Sequence, residues 1–198
     1  MLVIGLTGTL AGGKSTAAAM FADEGAAIFN ADAAVHALYE GAAVRPIEAA
    51  FPGTTVESAV DREKLRTRVV GDPAALARLE GIVHPLVHDA ENGFRARAAA
   101  AGRRTLVLDI PLLLETGGEG RVDVVVVVTA PEEVRRARVL HREGMSEARF
   151  AALSTRQLPD VDKRRQAHFI IDTSGAFDAT RKQVRDVLRA LAGMAAGG

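Results

Sequence analysis

Residues 8–16 read Gly8-Thr9-Leu10-Ala11-Gly12-Gly13-Lys14-Ser15-Thr16, a complete G-x-x-x-x-G-K-S/T run. It sits between the apolar Leu2-Val3-Ile4-Gly5-Leu6 and the helix-prone Ala17-Ala18-Ala19-Met20-Phe21-Ala22. A strand, a glycine-rich loop and a helix in that order make a phosphate-binding loop. Glycines let backbone N–H groups close around phosphate oxygens with no Cβ in the way. The helix that follows adds unpaired amides and the positive end of its dipole. Lys14 then reaches the β- and γ-phosphates, and the Ser15 hydroxyl is the expected Mg²⁺ ligand. The chain is expected to bind a nucleoside triphosphate.

Such a loop needs a parallel strand to deliver it, and the rest of the sequence supplies a parallel sheet. Apolar runs near Leu2–Thr7, Ala26–Phe29, Thr105–Ile110, Val122–Thr129 and His168–Asp172 predict five strands. Runs as continuous as Val124–Val128 suit strands covered on both faces. The fold class is therefore a P-loop NTPase three-layer α/β/α sandwich with a five-stranded parallel sheet. Between Asp32 and Arg104 the pattern is helical, with helices predicted at Ala33–Tyr39, Val44–Ala50, Arg62–Val70, Pro73–Ile82 and Pro85–Ala101 and no strand. Proline disfavours helix for its predecessor, so His84-Pro85 predicts a break. At 198 residues one domain is expected. Its core covers about 1–31, 103–134 and 167–198, with a substrate-binding helical insertion at about 32–102 and a lid at about 135–166. A closing helix is expected over Ala176–Ala195.

Composition narrows the function. Lys+Arg and Asp+Glu both number 25, so no global positive field exists to hold a nucleic acid. Without cysteine there is no disulfide or thiolate chemistry. The N-terminal apolar run is too short for a signal-peptide core, and no stretch approaches a membrane span. A cytoplasmic protein without membrane or nucleic-acid partner is expected, as a monomer or weak homo-oligomer.

Four further constellations carry chemistry. Asn30-Ala31-Asp32 follows the second strand, where open α/β sheets bind ligands. Asp32 is there either to accept a hydroxyl proton or to cap the next helix. Thr105-Leu106-Val107-Leu108-Asp109 has the apolar-run-then-Asp form that brings a carboxylate to Mg²⁺. Arg135, Arg138 and Arg142 share a helical face, with Glu132 spaced to pair with Arg135 or Arg136. Guanidinium groups suit bidentate phosphate contacts. Lys163-Arg164-Arg165 forms a second basic patch.

Together these residues resemble the dephospho-coenzyme A kinase family over nearly the whole chain. The landmarks are the loop from Thr7-Gly8 to Ser15-Thr16, Asn30-Ala31-Asp32, His84-Pro85-Leu86, Asp109-Ile110-Pro111-Leu112-Leu113 with Glu115, Arg138 with Arg142, and Gln157. The resemblance implies transfer of the ATP γ-phosphoryl to the ribose 3′-hydroxyl of dephospho-coenzyme A. It implies a coenzyme A-binding role for the helical insertion and makes Asp32 the base, with His84, Asp109, Leu112 and Glu115 on the acceptor side. Asp109 and Ser15 would meet Mg²⁺, Arg138 and Arg142 belong to the lid, and Thr173 falls at the adenine site. Two positions depart from the family pattern: Asn30 replaces an aspartate, and Thr173 an asparagine at the end of Ala167-His168-Phe169-Ile170-Ile171-Asp172. The rival readings are another small-molecule or nucleoside monophosphate kinase, and a nucleotide-dependent switch.

Overall fold

The computed structural model describes residues 1–141, 144–155 and 157–196. In chain order the elements are β1 (Leu2–Gly8), α1 (Lys14–Asp23), β2 (Ala27–Asn30), α2 (Ala31–Tyr39), α3 (Val44–Ala50), β3 (Thr55–Val56), β4 (Ala59–Val60), α4 (Arg62–Val69) and α5 (Pro73–Ala100). They continue with β5 (Thr105–Asp109), β6 (Val124–Thr129), α6 (Glu132–Leu140), α7 (Glu147–Ser154), α8 (Asp160–Gln166), β7 (Phe169–Asp172) and α9 (Phe177–Ala196). Two compact units result: residues 1–28 with 102–198, and residues 29–101.

The first unit is built on the sheet, whose order is β2-β5-β1-β6-β7. β1 runs parallel to β5 (Leu6 opposite Asp109) and to β6 (Gly8 opposite Val128), and β6 runs parallel to β7. The reason for valine at every position of β6 from Val124 to Val128 is visible in its two faces. Val124, Val126 and Val128 pack with Ile4, Leu6, Phe21 of α1 and Val184, Val187 and Leu191 of α9. Val125 and Val127 pack on the other side with Leu113 and Leu114. A strand covered twice has no polar face to alternate. The two central pairings bring Asp109 and Val128 to either side of the loop that leaves β1, the position where the strand order reverses and ligands of such sheets bind.

The second unit packs α2 to α5 around Ala43, Ile47, Phe51, Leu65, Leu79 and Val83. Here the structure departs from the sequence expectation twice. The break at His84-Pro85 does not form: α5 runs unbroken from Pro73 to Ala100 with Pro85 inside it. An interior proline costs about 3 kcal/mol. Around it Leu79 and Val83 are buried and Ile82, Leu86 and Val87 pack against the same cluster, and full burial of such a side chain contributes about 1.5–3 kcal/mol. Burial on that scale outweighs the local penalty. Second, a two-residue-strand hairpin, β3–β4, lies where no strand was expected. Its turn residues Glu57 and Ser58 both have positive φ, 50° and 68°, the geometry of a tight hairpin turn, yet neither is the glycine or asparagine that signals one. Of the two roles left open for Asp32, the cap is taken by another residue: Asn30 caps α2, its Oδ1 accepting from the Ala33 amide at 2.8 Å. Asp32 lies inside the first turn instead.

Candidate active site

The loop is shaped by what its carbonyls do. The Gly8 carbonyl accepts from Lys163 Nζ at 3.0 Å, and the Ala11 carbonyl from Arg138 Nη1 at 3.2 Å. The Gly12 carbonyl accepts from the Thr173 hydroxyl at 2.8 Å, and the Gly13 carbonyl from the Ala17 amide at 3.0 Å. Across a trans peptide the next N–H points opposite to the carbonyl. Tying Gly12 and Gly13 carbonyls to one side therefore turns the amides of Gly13 and Lys14 to the other, where they join the first-turn amides of α1 that have no intrahelical acceptor. Amides free in this way suit an anion, and Ser15 is exposed in that first turn.

Three glycines are required for it, Gly8, Gly12 and Gly13; at Gly12 a Cβ would lie 2.8 Å from the Val128 carbonyl oxygen. A Cβ on Gly8 would lie 2.3 Å from the Val128 carbonyl oxygen, so the close approach of β1 to β6 excludes any other residue. Gly13 has φ +88°, and its Cβ would lie 2.8 Å from Thr173 Oγ1. A side chain at positive φ costs about 1–3 kcal/mol. Gly25 has a similar φ of +91° with open space around it. Gly25→Ala should therefore show the backbone penalty alone, and Gly13→Ala a larger loss of stability in urea titration together with weakened nucleotide binding. Equal losses from the two substitutions would show that Thr173 does not constrain the loop.

Lys14 forms an ion pair with Asp109. Asp109 ends β5 and is almost wholly buried, while the Lys14 side chain keeps a sixth of its surface open. An ammonium has three donors, so Lys14 can hold Asp109 and still donate to a phosphate oxygen. The structure thus joins the two residues that the loop and the strand-end motif singled out separately.

Arg138 is fastened between the loop and the turn after β7: beside Ala11 it donates to Thr173 Oγ1 at 2.9 Å and to the Thr173 carbonyl at 2.6 Å. Thr173 is buried, and its one hydroxyl proton is committed to Gly12, so its side chain holds the loop from behind. Ser174 bonds the neighbouring Asp172 carboxylate, its amide at 2.7 Å, and holds that carboxyl below its usual range, with the charges of Arg164 and Arg138 adding to the effect. The pairing expected of Glu132 goes elsewhere. Arg136 pairs with Glu147 at 2.6 Å, and Arg135 turns back to the Ala130 carbonyl at 3.0 Å. Arg142 lies outside the described residues.

After β5, Leu113 and Leu114 enter the core while Leu112 stays exposed. Glu115 is drawn to Lys163 at 2.8 Å and accepts from the Leu158 amide at 2.9 Å through the same oxygen, Oε1. Its second oxygen, Oε2, is buried without a hydrogen-bond partner. The basic patch Lys163-Arg164-Arg165 divides accordingly: Arg164 pairs with Asp160, Arg165 with Asp162, and Lys163 is fully buried. Gln157, a landmark without an assigned task in the sequence, accepts from the Leu10 amide at 2.9 Å. A cleft of about 550 Å³ opens beside Thr9, lined by Arg135, Phe150, Gln157 and Asp160 among others.

Asp32 and His84 belong to the second unit, and both are exposed, on α2 and α5 respectively. The acidic first turn that Asp32 gives α2 is favourable to the helix dipole, a small effect at an exposed position.

Comparison with known proteins identifies the family. A dephospho-CoA kinase family profile matches residues 2–178. A dephospho-CoA kinase of Nitrobacter winogradskyi is 53% identical over 194 residues, 98% of either chain, and one of Mesorhizobium japonicum is 55% identical over 193 residues with the same coverage. A crystal structure from Thermus thermophilus superposes with a TM-score of 0.85 at 33% identity, covering 96% of this chain and 97% of that one. Shikimate kinase from Acinetobacter baumannii, at 18% identity and a TM-score of 0.56 over 98% of this chain and 94% of its own, shares the fold. With its phosphate loop, its Lys14–Asp109 pair and a match of this extent, the chain belongs to the dephospho-CoA kinase family.

Proposed function

We propose that this chain transfers the γ-phosphoryl group of ATP to the ribose 3′-hydroxyl of dephospho-coenzyme A, giving coenzyme A and ADP. The observation that carries the reading is the Lys14–Asp109 pair, set beside a loop whose carbonyls are tied outward. ATP lies along Gly8–Thr16, with the amides of that loop and Lys14 on its β- and γ-phosphates. Asp32 accepts the 3′-hydroxyl proton as the O3′–Pγ bond forms. The bond from Pγ to the β,γ-bridging oxygen breaks, and its electron pair leaves with ADP. Arg138 holds the loop and spreads charge at the transferring group, while His84, Leu112 and Glu115 meet the acceptor. With the Thr173 hydroxyl committed to Gly12, the backbone of the Asp172–Gly175 turn is left to meet the adenine.

The family implies Mg²⁺, and the donors here suit it. Ser15 offers a hydroxyl and Asp109 a carboxylate, and Mg²⁺ takes few protein oxygens when substrate phosphates supply others. Ser15 and Asp109 would hold the ion, and it would supply neutralising charge for the β- and γ-phosphates. Positioning and charge stabilisation provide most of the acceleration in such chemistry. Among the described residues no helix is long and apolar enough to cross a membrane. The reading has the enzyme act in the cytoplasm on a small-molecule substrate, as a monomer or weak homo-oligomer.

The test is ADP release from ATP and Mg²⁺ with dephospho-coenzyme A, AMP, CMP, gluconate or no acceptor. Release should be stimulated by dephospho-coenzyme A alone, with the product heavier by one phosphoryl group. Stimulation by a different acceptor would overturn the substrate but keep the chemistry. Equal slow release in every tube would overturn the kinase reading in favour of a nucleotide switch.

A further inference from the structure

Lys163 presents a problem of cost. It is fully buried, and removing an ammonium from water is unfavourable unless it is paired and hydrogen-bonded. Its partners are Glu115 Oε1 at 2.8 Å and the carbonyl of Gly8, the first residue of the phosphate loop, at 3.0 Å. A purely structural ion pair would need only Glu115. The second bond holds a backbone group on which the shape of the anion site depends.

The Gly8–Thr9 peptide is held from both ends. Lys163 takes its carbonyl, and its N–H donates to the Val128 carbonyl at 3.2 Å. Two residues on, the Leu10 amide is taken by Gln157, from the same stretch of chain as Lys163. That stretch is fixed in turn, through the Leu158 amide on Glu115 and through Asp160, which accepts from the Thr129 hydroxyl at 2.6 Å. The segment 157–163 therefore grips the loop at residues 8 and 10 while resting on Glu115, beyond β5, and on Thr129 at the end of β6. Glu115 offsets the charge of Lys163 locally, and on the proposed reading attraction of phosphate falls to Lys14 and Arg138. What remains for Lys163 is direction: it sets where the first peptide of the loop points, and with it the amides that follow. A displacement of about 1 Å in such a site can cost about 100-fold in rate.

We propose that Lys163 is a positioning residue of the nucleotide site, acting through the Gly8 carbonyl rather than by contact with substrate. The inference rests on reading Gly8–Thr16 as the nucleotide loop. It is separable from the ion pair because a double substitution removes both charges together. Lys163→Met alone keeps the length of the side chain but leaves the Glu115 charge uncompensated, and should lower the melting temperature. Lys163→Met with Glu115→Gln removes that conflict and should melt closer to the wild type.

The deciding measurement is ADP affinity by titration calorimetry, made without acceptor so that any part Glu115 plays toward the acceptor does not enter. The double variant should bind ADP at least tenfold more weakly than the wild type despite its recovered melting temperature. A smaller loss would overturn the proposal and leave a structural ion pair only. If the double variant does not melt cooperatively, hydrogen exchange in the wild type decides. Coupling between sites is reciprocal, so ADP must then slow exchange at the Leu158 and Lys163 amides as well as in the loop. Protection confined to the loop would overturn the proposal. A wild type without affinity for ADP would overturn the loop reading itself, a result distinct from both.

Discussion

Lys14→Ala should reduce turnover by about 10³-fold or more, the scale on which removing a charge that stabilises phosphoryl transfer acts. Lys14 has two tasks in the geometry, and the substitution removes both. Its ammonium faces the region where the β- and γ-phosphates lie on the proposed reading, and it forms the ion pair with the buried Asp109. Removing one partner of a largely buried pair is destabilising, so a lower melting temperature is expected beside the kinetic defect. The two effects are separated by measuring turnover well below the variant's melting transition and by confirming its secondary structure there. Lys14→Arg gives a second comparison. It keeps the charge, yet a planar guanidinium cannot occupy the place of a compact ammonium between carboxylate and phosphate, so activity should return only in small part. Turnover within tenfold of wild type for a folded Lys14→Ala protein would show that the loop lysine is not part of the chemistry.

The phosphate loop was legible because its signal is local: glycines for backbone approach, a lysine and hydroxyl at fixed offsets, and a strand and helix on either side. The five strands were legible for a related reason. A strand buried on both faces is apolar along its length, and β6 shows this in every residue from Val124 to Val128. What the sequence concealed depends on partners far along the chain. Little within α8 distinguishes Lys163 from its basic neighbours, because the carboxylate and carbonyl that bury it lie 48 and 155 residues away. A weak local clue existed: Asp160 and Asp162 stand four and three residues before Arg164 and Arg165, which they pair, leaving the lysine as the basic residue with a different task. Pro85 misled in the opposite direction. Its local rule against helix is sound, but the apolar side chains around it are held by a cluster to which α2, α3, β4 and α4 also contribute. The β3–β4 turn uses Glu57 and Ser58 in a conformation that favours glycine or asparagine, so residue type carried no warning of it. Asn30 shows how adjacent roles exchange. The alternative to a catalytic Asp32 was a helix cap, and the cap is in fact provided two residues earlier, which removes the main structural explanation for that carboxylate.

Asp32→Asn follows from that exchange, and it should lower turnover by about 100-fold or more while leaving ADP affinity within about twofold, the effect expected on loss of a general base. The structural alternative makes a different and much smaller prediction. Asp32 is exposed in the first turn of α2, where a negative charge contributes about 0.3–1 kcal/mol through the helix dipole. The amide keeps the shape and a hydrogen-bonding oxygen but not the charge or the capacity to take a proton. A loss confined to the dipole would shift the melting temperature slightly and leave the rate of each folded molecule unchanged. Asn30 sharpens the comparison, since Asn30→Ala removes the bond to the Ala33 amide and should cost about 1 kcal/mol of stability. The two substitutions therefore exchange signatures: Asn30→Ala acts on the melt more than on the chemistry, and Asp32→Asn the reverse. The decisive quantity is the single-turnover rate with ATP and dephospho-coenzyme A both saturating, where neither binding nor product release enters. If that rate stays within threefold of wild type, Asp32 is a residue of the helix terminus and the proton must leave by another route.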